Sequence, residues 1–541
     1  MRTTRARVLA VFVTAAAVLL PSTSAGAAPS HTLIVGSGST WSSNAVNQWV
    51  ADVQTNGLRV VFTPNGSAQG RKDFAYKTTD FGVTDIGYQG VDPVSGDPDT
   101  SLGRQFAYLP IVAGGTAFPY QVKVAGKMVR NLRLSGQTIA KIFTNHITNW
   151  NDAAITADNN GRKLPSIPII PVVHSEGSGS TAQFTRYLNS VYPSIWNPFL
   201  GANSGTEYFP RKGKQIAQNG SDAVMSFVSS KAANGAIGYD EYSYALGKNY
   251  PVAKVLNKAG YYTLPNQYNV AVALTQAIIN GDKNSPNYLL QDLKNVYVFG
   301  DSRAYPLSSY SYSIIPTAAD DSKMTSSKRQ TLADFLFYSV CGGQKEMGPI
   351  GYSPLPLNLV KASFDQIGKL KTADPSIDIS KQAPSTCNNP TFDKTNPSRN
   401  YLAEIAPKPP ACDKQGAGPC VAGTDTGTSN PQDGHAPPPN GSSDGSGNGS
   451  NSNGGTHSAA AGSGSPTPTA SGSIDPVTGQ LVGNDSGGSD DVAANPTDLS
   501  AYSRKSNDTP YAILAVALLL VVLVAPPILA QRLAKRPKDG S

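Results

Sequence analysis

One kind of junction occurs three times in this chain and limits what it can fold into. An apolar strand runs into a Gly/Ser-rich turn, and a helix starts directly after it. The clearest copy follows the run Ile167-Pro168-Ile169-Ile170-Pro171-Val172-Val173. It reads His174-Ser175-Glu176-Gly177-Ser178-Gly179-Ser180-Thr181, with Phe184, Tyr187 and Leu188 then at helical spacing. The first helical N–H groups have no intrahelical partner, and the macrodipole makes that end partly positive, so it suits an anion. Glycines let backbone approach a ligand, and Ser178, Ser180 and Thr181 add hydroxyl donors. A single copy could equally be a capped helix after a turn. Two earlier copies shift that balance. Leu33-Ile34-Val35 leads into Gly36-Ser37-Gly38-Ser39-Thr40-Trp41, and Val60-Val61-Phe62 leads into Asn65-Gly66-Ser67-Ala68-Gln69-Gly70. Three such junctions suggest several donors converging on one oxyanion.

From residue 30 to about 400, apolar strands alternate with helical patterns, which indicates an α/β fold. Asp80-Phe81-Gly82-Val83-Thr84-Asp85 reads as a short strand ending in a carboxylate, and Tyr108–Ala113 as another strand. Ile139, Ile142 and Phe143 mark a helix, as do Ala223, Phe227 and Val228. Gly235–Tyr239 is a strand, and Leu332, Phe335, Leu336 and Val340 mark a late helix.

The two ends read differently. Arg2, Arg5 and Arg7, an apolar core from Val8 to Leu20, and Ala25-Gly26-Ala27 make residues 1–28 a secretory signal. From 407 to 508, Pro, Gly, Ser, Asn, Thr and Asp dominate, too polar a composition to offset the entropy of folding, so a disordered linker is expected. Within it, Gly441-Ser442-Ser443-Asp444-Gly445 matches a hydrolase pattern by chance, since no strand precedes it and no helix follows. An uncharged apolar stretch at 511–530 has the length of a transmembrane helix, and the basic tail 531–541 should stay cytoplasmic. The four cysteines all lie in the exported part and permit three disulfide connectivities; nearest neighbours would pair Cys341 with Cys387 and Cys412 with Cys420.

Taken together in their order, these motifs resemble the PstS-type phosphate-binding proteins of bacterial ABC importers. The stretches that carry the resemblance are 36–41, Gly66-Ser67, Asp80-Phe81-Gly82 with Asp85, and Asn149-Trp150-Asn151-Asp152. Glu176–Thr181 and Gly235–Tyr239, with Glu241-Tyr242 and Tyr244-Ala245, complete them. The resemblance implies a two-lobed periplasmic-binding-protein type 2 fold over 30–406. Lobe 1 would hold about 31–112 and 305–400, and lobe 2 about 113–304. It also implies that Thr40, the backbone of Trp41, Ser67 and Asp85 line the first lobe, with Glu176, Ser178, Gly179 and Ser180 contributed by the second. The family usually carries an Arg and an Asp before the Gly-Ser-Gly turn. This chain has His174-Ser175-Glu176 there and no Arg, and a histidine is charged only in part near neutrality. Arg71 could substitute for the missing cation, although arginines are usually exposed, which favours a solvent-facing helix residue.

The function expected is extracytoplasmic binding of inorganic phosphate for an ABC permease, by a monomer held at the membrane through its C-terminal helix. The alternative is a tethered oxyanion sensor with no transport partner. An enzyme is not expected. His174, Ser175 and Glu176 have triad residue types, but adjacency in sequence is not triad geometry. The five histidines show no metal-ligand spacing, and no cofactor is implied. The net charge of +7 comes without a basic stripe, which gives no case for nucleic acid.

Overall fold

The computed structural model describes residues 31–392, 396, 399–420, 473–474 and 481–482. The expected signal, the apolar stretch 511–530, the basic tail and most of the expected linker lie outside those residues. Among the described residues no helix is long and apolar enough to cross a membrane. Ser473–Ile474 pairs antiparallel with Leu481–Val482.

Strands β1 (Ile34–Gly38), β2 (Val60–Pro64) and β3 (Phe81–Thr84) alternate with helices α1 (Ser43–Gln54) and α2 (Ser67–Ala75). Then come β4 (Phe106–Ala117), α3 (Gly136–Phe143), β5 (Ile170–His174) and α4 (Gly179–Val191). They are followed by β6 (Ile216–Gln218), α5 (Ser221–Ser229), β7 (Ala236–Gly238), β8 (Asp240–Glu241) and α6 (Tyr242–Gly247). Helix α7 (Gln267–Leu274) precedes β9 (Ser308–Pro316), α8 (Ser326–Val340) and α9 (Leu357–Ala373).

Two sheets organise these elements. The larger has the order β8-β4-β9-β3-β1-β2, and the smaller has β6-β5-β7. Within the first, β1 pairs in parallel with both β2 and β3, the βαβ handling expected when helices separate the strands. In the second, β5 pairs in parallel with both neighbours. The pair β4–β9 is antiparallel from Ser308↔Gly115 to Pro316↔Phe106, and nearly every residue of both strands is buried. One of these long strands carries the chain out of the first lobe and the other brings it back. The second lobe's core is aromatic: Phe118, Phe143 and Tyr239 all pack on Phe184, with the Phe184 and Tyr239 rings 4.8 Å apart.

Two expected boundaries move. Helix α7, placed by sequence in the second lobe, packs on β4 and β9 instead, and Tyr305 N donates to Asn269 O at 3.2 Å. The folded part also runs past 406. Lys254 Nζ donates to Asp413 Oδ2 at 2.6 Å, Arg133 Nη1 to Cys412 O at 3.1 Å, and Gln415 N to Gly260 O at 2.8 Å. Residues 407–420 therefore form a strap on the domain rather than the start of a linker. Sequence composition missed this because its contacts are few, polar and distant in the chain. The disulfides are Cys341–Cys387 and Cys412–Cys420, the nearest-neighbour pairing.

Candidate oxyanion site

Each Gly/Ser junction sits just beyond the carboxyl end of a parallel strand, where open α/β sheets form their ligand crevice. β1 ends at Gly38 and delivers Ser39 and Thr40, β2 delivers Gly66 and Ser67, and β3 delivers Asp85. Across from them β5 delivers Glu176 to Gly179, and β6 delivers Gly220 and Ser221. The two groups meet. Ala68 N donates to Gly177 O at 3.1 Å, Gln183 Nε2 to Asp85 O at 2.9 Å, and Ser221 Oγ to Thr40 Oγ1 at 3.2 Å. The N-termini of α2, α4 and α5 thus gather at one place, each of them a partly positive end.

Local sequence explains the close fit. Gly66, the N-cap of α2, has φ +99°, a region that side chains rarely adopt, and a Cβ there would press on Glu176. Gly179 opens α4 against Asp85, and a Cβ on it would lie 1.8 Å from Asp85 Oδ2. Only glycine allows that approach. Ser178 caps α4 by accepting from Thr181 N at 3.3 Å.

Asp85 is the centre of the arrangement. Its Oδ2 accepts from Ser39 Oγ at 2.7 Å and Ser67 Oγ at 3.0 Å, while its Oδ1 is buried without a partner. Burial raises the Asp85 pKa, and the serine hydroxyls and the Arg71 charge offset this only in part. Ser180 Oγ is likewise buried and unpartnered. An orphan acceptor and an orphan donor therefore lie at the junction of the lobes. The Trp41 ring does not reach into the crevice. It turns into the first lobe and meets Tyr352 edge-on at 5.9 Å, and the Tyr352 hydroxyl donates to the Trp41 carbonyl at 2.6 Å.

The two candidate cations behave differently from the sequence expectation. Arg71 is fully buried, not a solvent-facing helix residue. Its guanidinium binds Asp99 through Nε at 3.0 Å and Nη2 at 2.7 Å, and Nη2 also meets Glu207 Oε1 at 2.7 Å. It is a clasp between lobes. His174 is also engaged on both sides, by Glu176 Oε1 at 2.8 Å and by Tyr239 O at 3.2 Å. Burial opposes its charge, but Glu176, Asp240 and the Tyr239 carbonyl outweigh burial and raise its pKa. Burial likewise opposes the Glu176 charge, and His174 with Gly220 N overcomes it, lowering that pKa. His174 thus neutralises Glu176 rather than offering a free N–H to the crevice. Burial pushes nearby Asp240 up to about 7.

Sequence reading missed Ser39, Asp99, Glu207, Gly220 and Ser221. The pair Gly220-Ser221 repeats the strand–glycine–serine–helix pattern after β6 and could have been found by it. Asp99 and Glu207 have no local signal, because their carboxylates pair with Arg71 from 28 and 136 residues away. Among the described residues no group of His, Cys, Asp or Glu could hold a metal ion.

Residues 23–414 match the family model described as PBP superfamily domain. The phosphate-binding protein PstS 3 of Mycobacterium leprae is 30% identical over 323 residues, covering 59% of this chain and 82% of the relative. The chain belongs to the PstS-type family of the PBP superfamily. Its two-lobed α/β architecture is the type 2 fold of that superfamily. A second PstS-type relative, the phosphate-binding protein PstS of Methanocaldococcus jannaschii, is 28% identical over 351 residues, 63% of this chain and 87% of that one. A solved high-affinity periplasmic phosphate-binding protein with phosphate bound is 19% identical, with TM-score 0.47, over 64% of this chain and 99% of that one.

Proposed function

We propose that this chain binds inorganic phosphate outside the cytoplasm and hands it to an ABC importer, as a binding protein and not an enzyme. One observation carries the reading: Asp85 Oδ1 and Ser180 Oγ are both buried and unpartnered where the lobes meet. A hydroxyl donor beside a carboxylate suits an oxyanion that can both accept and donate. Near neutral pH inorganic phosphate keeps a proton and sulfate does not. The carboxylate accepts the phosphate O–H and meets sulfate only with repulsion. Thr40, the Trp41 backbone and Ser67 would hold the ligand from one lobe; Glu176, Ser178, Gly179 and Ser180 from the other. Relatives named for phosphate binding support the same ligand. In this reading residues 1–28 direct export, a stalk follows residue 420, and 511–530 anchors a monomer in the membrane.

Calorimetric titration with phosphate and sulfate tests it. The wild-type chain should prefer phosphate, and Asp85→Asn should lose about 1.5–3 kcal/mol of that preference, roughly tenfold to a hundredfold. Equal affinities in the wild type, or unchanged selectivity in the variant, would sink the reading.

A further inference from the structure

The lobes also meet outside the Gly/Ser turns. Beyond Asp85 the chain runs into a small hairpin, with Gly90–Val91 antiparallel to Pro98–Asp99, before it enters β4. Three polar bridges tie this stretch to the second lobe. Arg186 Nη2 donates to Gln89 Oε1 at 3.3 Å, and Tyr208 OH donates to Asp92 Oδ2 at 2.6 Å. Asp99 holds the Arg71 guanidinium, whose Nη2 also meets Glu207 Oε1.

Both ends of the Tyr208–Asp92 bridge are set in place by their own lobes. Asp92 Oδ1 accepts from Val94 N at 2.8 Å and Ser95 N at 3.0 Å, which turns Oδ2 toward the second lobe. Burial opposes the Asp92 charge, but the Tyr208 hydroxyl and those two amides outweigh it and lower the pKa. On the other side, Tyr208 is pinned to the start of α4. Thr206 N donates to Thr185 Oγ1 at 2.8 Å, and Ser178 N donates to Glu207 O at 2.9 Å. Tyr208 also covers Gly177, where a Cβ would lie 2.7 Å from the tyrosine hydroxyl. The group that hooks the first lobe is thus packed on the turn between Glu176 and Ser178.

The bridges differ in what they contribute to closure. Burial raises the Glu207 pKa and Arg71 offsets this only in part, so desolvation cancels much of what that ion pair gains. Tyr208 carries no charge, and it and Asp92 are both partly exposed, so their bond forms at little desolvation cost. Two-lobed binding proteins close on a ligand by a hinge and must part to release it. A contact made only between closed lobes slows that parting and leaves the first encounter alone.

We propose that Tyr208 is a positioning residue for phosphate: by hooking Asp92 across the lobes it holds the Gly177 turn closed and sets how long the anion stays bound. It acts through Asp92 and Gly177, not by touching the anion. This rests on the oxyanion reading above.

The test measures release of radiolabelled phosphate from the full-length protein, chased with unlabelled phosphate. Tyr208→Phe removes one hydroxyl and should speed release about fivefold. Its association rate and its preference for phosphate over sulfate should stay within about twofold of wild type. Asp92→Asn keeps an acceptor for the hairpin amides and should speed release to a similar extent. The double variant should be no faster than the faster single one, because both remove the same bond. Unchanged release in Tyr208→Phe, or effects that simply add in the double variant, overturns the latch and leaves phosphate binding standing. A changed preference over sulfate in Tyr208→Phe overturns it too, by placing the hydroxyl on the ligand. If the wild-type protein binds no phosphate, the oxyanion reading fails and the latch falls with it.

Discussion

His174 ends the strand before the central Gly/Ser junction, and its environment makes it the partner of Glu176. It is 1% exposed, bound to Glu176 on one ring nitrogen and to a carbonyl on the other. A histidine raised above its ordinary 6.5 stabilises the fold fully below that pH and loses the contribution as pH rises through the folded value. Glu176, lowered from 4.5, contributes above that pH and loses its share as pH falls through its folded value. The pair is therefore strongest between about pH 4.5 and 6.5. Asp240, raised by burial to about 7, acts in the same alkaline direction, because the folded chain holds its proton longer than the unfolded one. Thermal or urea denaturation should show stability falling from pH 6 to pH 9. His174→Gln should cost about 3 kcal/mol at pH 6, by leaving a buried carboxylate without its cation, and less at pH 9. A flat profile in the wild type, or a cost independent of pH, would remove the ion pair from the account.

At the scale of elements, the start of α4 is held to the first lobe by the absence of one methyl group. In Gly179→Ala the new Cβ would fall 1.8 Å from Asp85 Oδ2 and 2.6 Å from Asp85 Cγ. Asp85 cannot easily withdraw, since Ser39 and Ser67 hold its carboxylate. The lobes should then fail to close. Phosphate affinity should fall by at least about tenfold, while the melting temperature of the ligand-free chain changes little, because alanine suits a helix at least as well as glycine. Unchanged affinity would mean that α4 does not meet Asp85 in the bound state. The junctions that build this contact were legible because strand, turn and helix follow one another within a few residues. β9 was not legible. Its Ser308-Ser309-Tyr310-Ser311-Tyr312-Ser313 looks like loop composition, yet both faces are buried, with Ser313 Oγ donating to Gly82 O at 3.3 Å. Arg71 misled for a related reason. Its two carboxylate partners lie 28 and 136 residues away, and no local pattern carries that information.

For the molecule as a whole, the question is where the folded part ends. Composition changes at 407, and a cut there would be expected to release an intact domain. The structure gives the strap at 407–420 a share in the fold. Asp413 is 2% exposed and meets Lys254, itself 7% exposed, at 2.6 Å. Arg133, 1% exposed, lies over the Tyr262 ring at 4.4 Å and donates to Cys412 O. Asn131 Nδ2 donates to Cys420 O at 3.0 Å, and the Cys412–Cys420 disulfide closes the loop between these contacts. A chain ending at 420 keeps all of them, whereas one ending at 408 removes the carboxylate from beside a buried ammonium and a carbonyl from beside a buried guanidinium. Breaking a buried pair from one side costs about 3 kcal/mol. With an unfolding entropy of about 2 cal/mol/K per residue, that loss lowers the melting temperature of a domain this size by roughly 4 °C. Scanning calorimetry on the two shortened chains decides the matter. The chain ending at 420 should melt with the parent domain and the one ending at 408 clearly below it. Asp413→Asn in the longer chain should reproduce most of the difference, which separates the ion pair from the disulfide. Equal melting temperatures for the two chains would return the boundary to 407 and make the strap a passive part of the stalk.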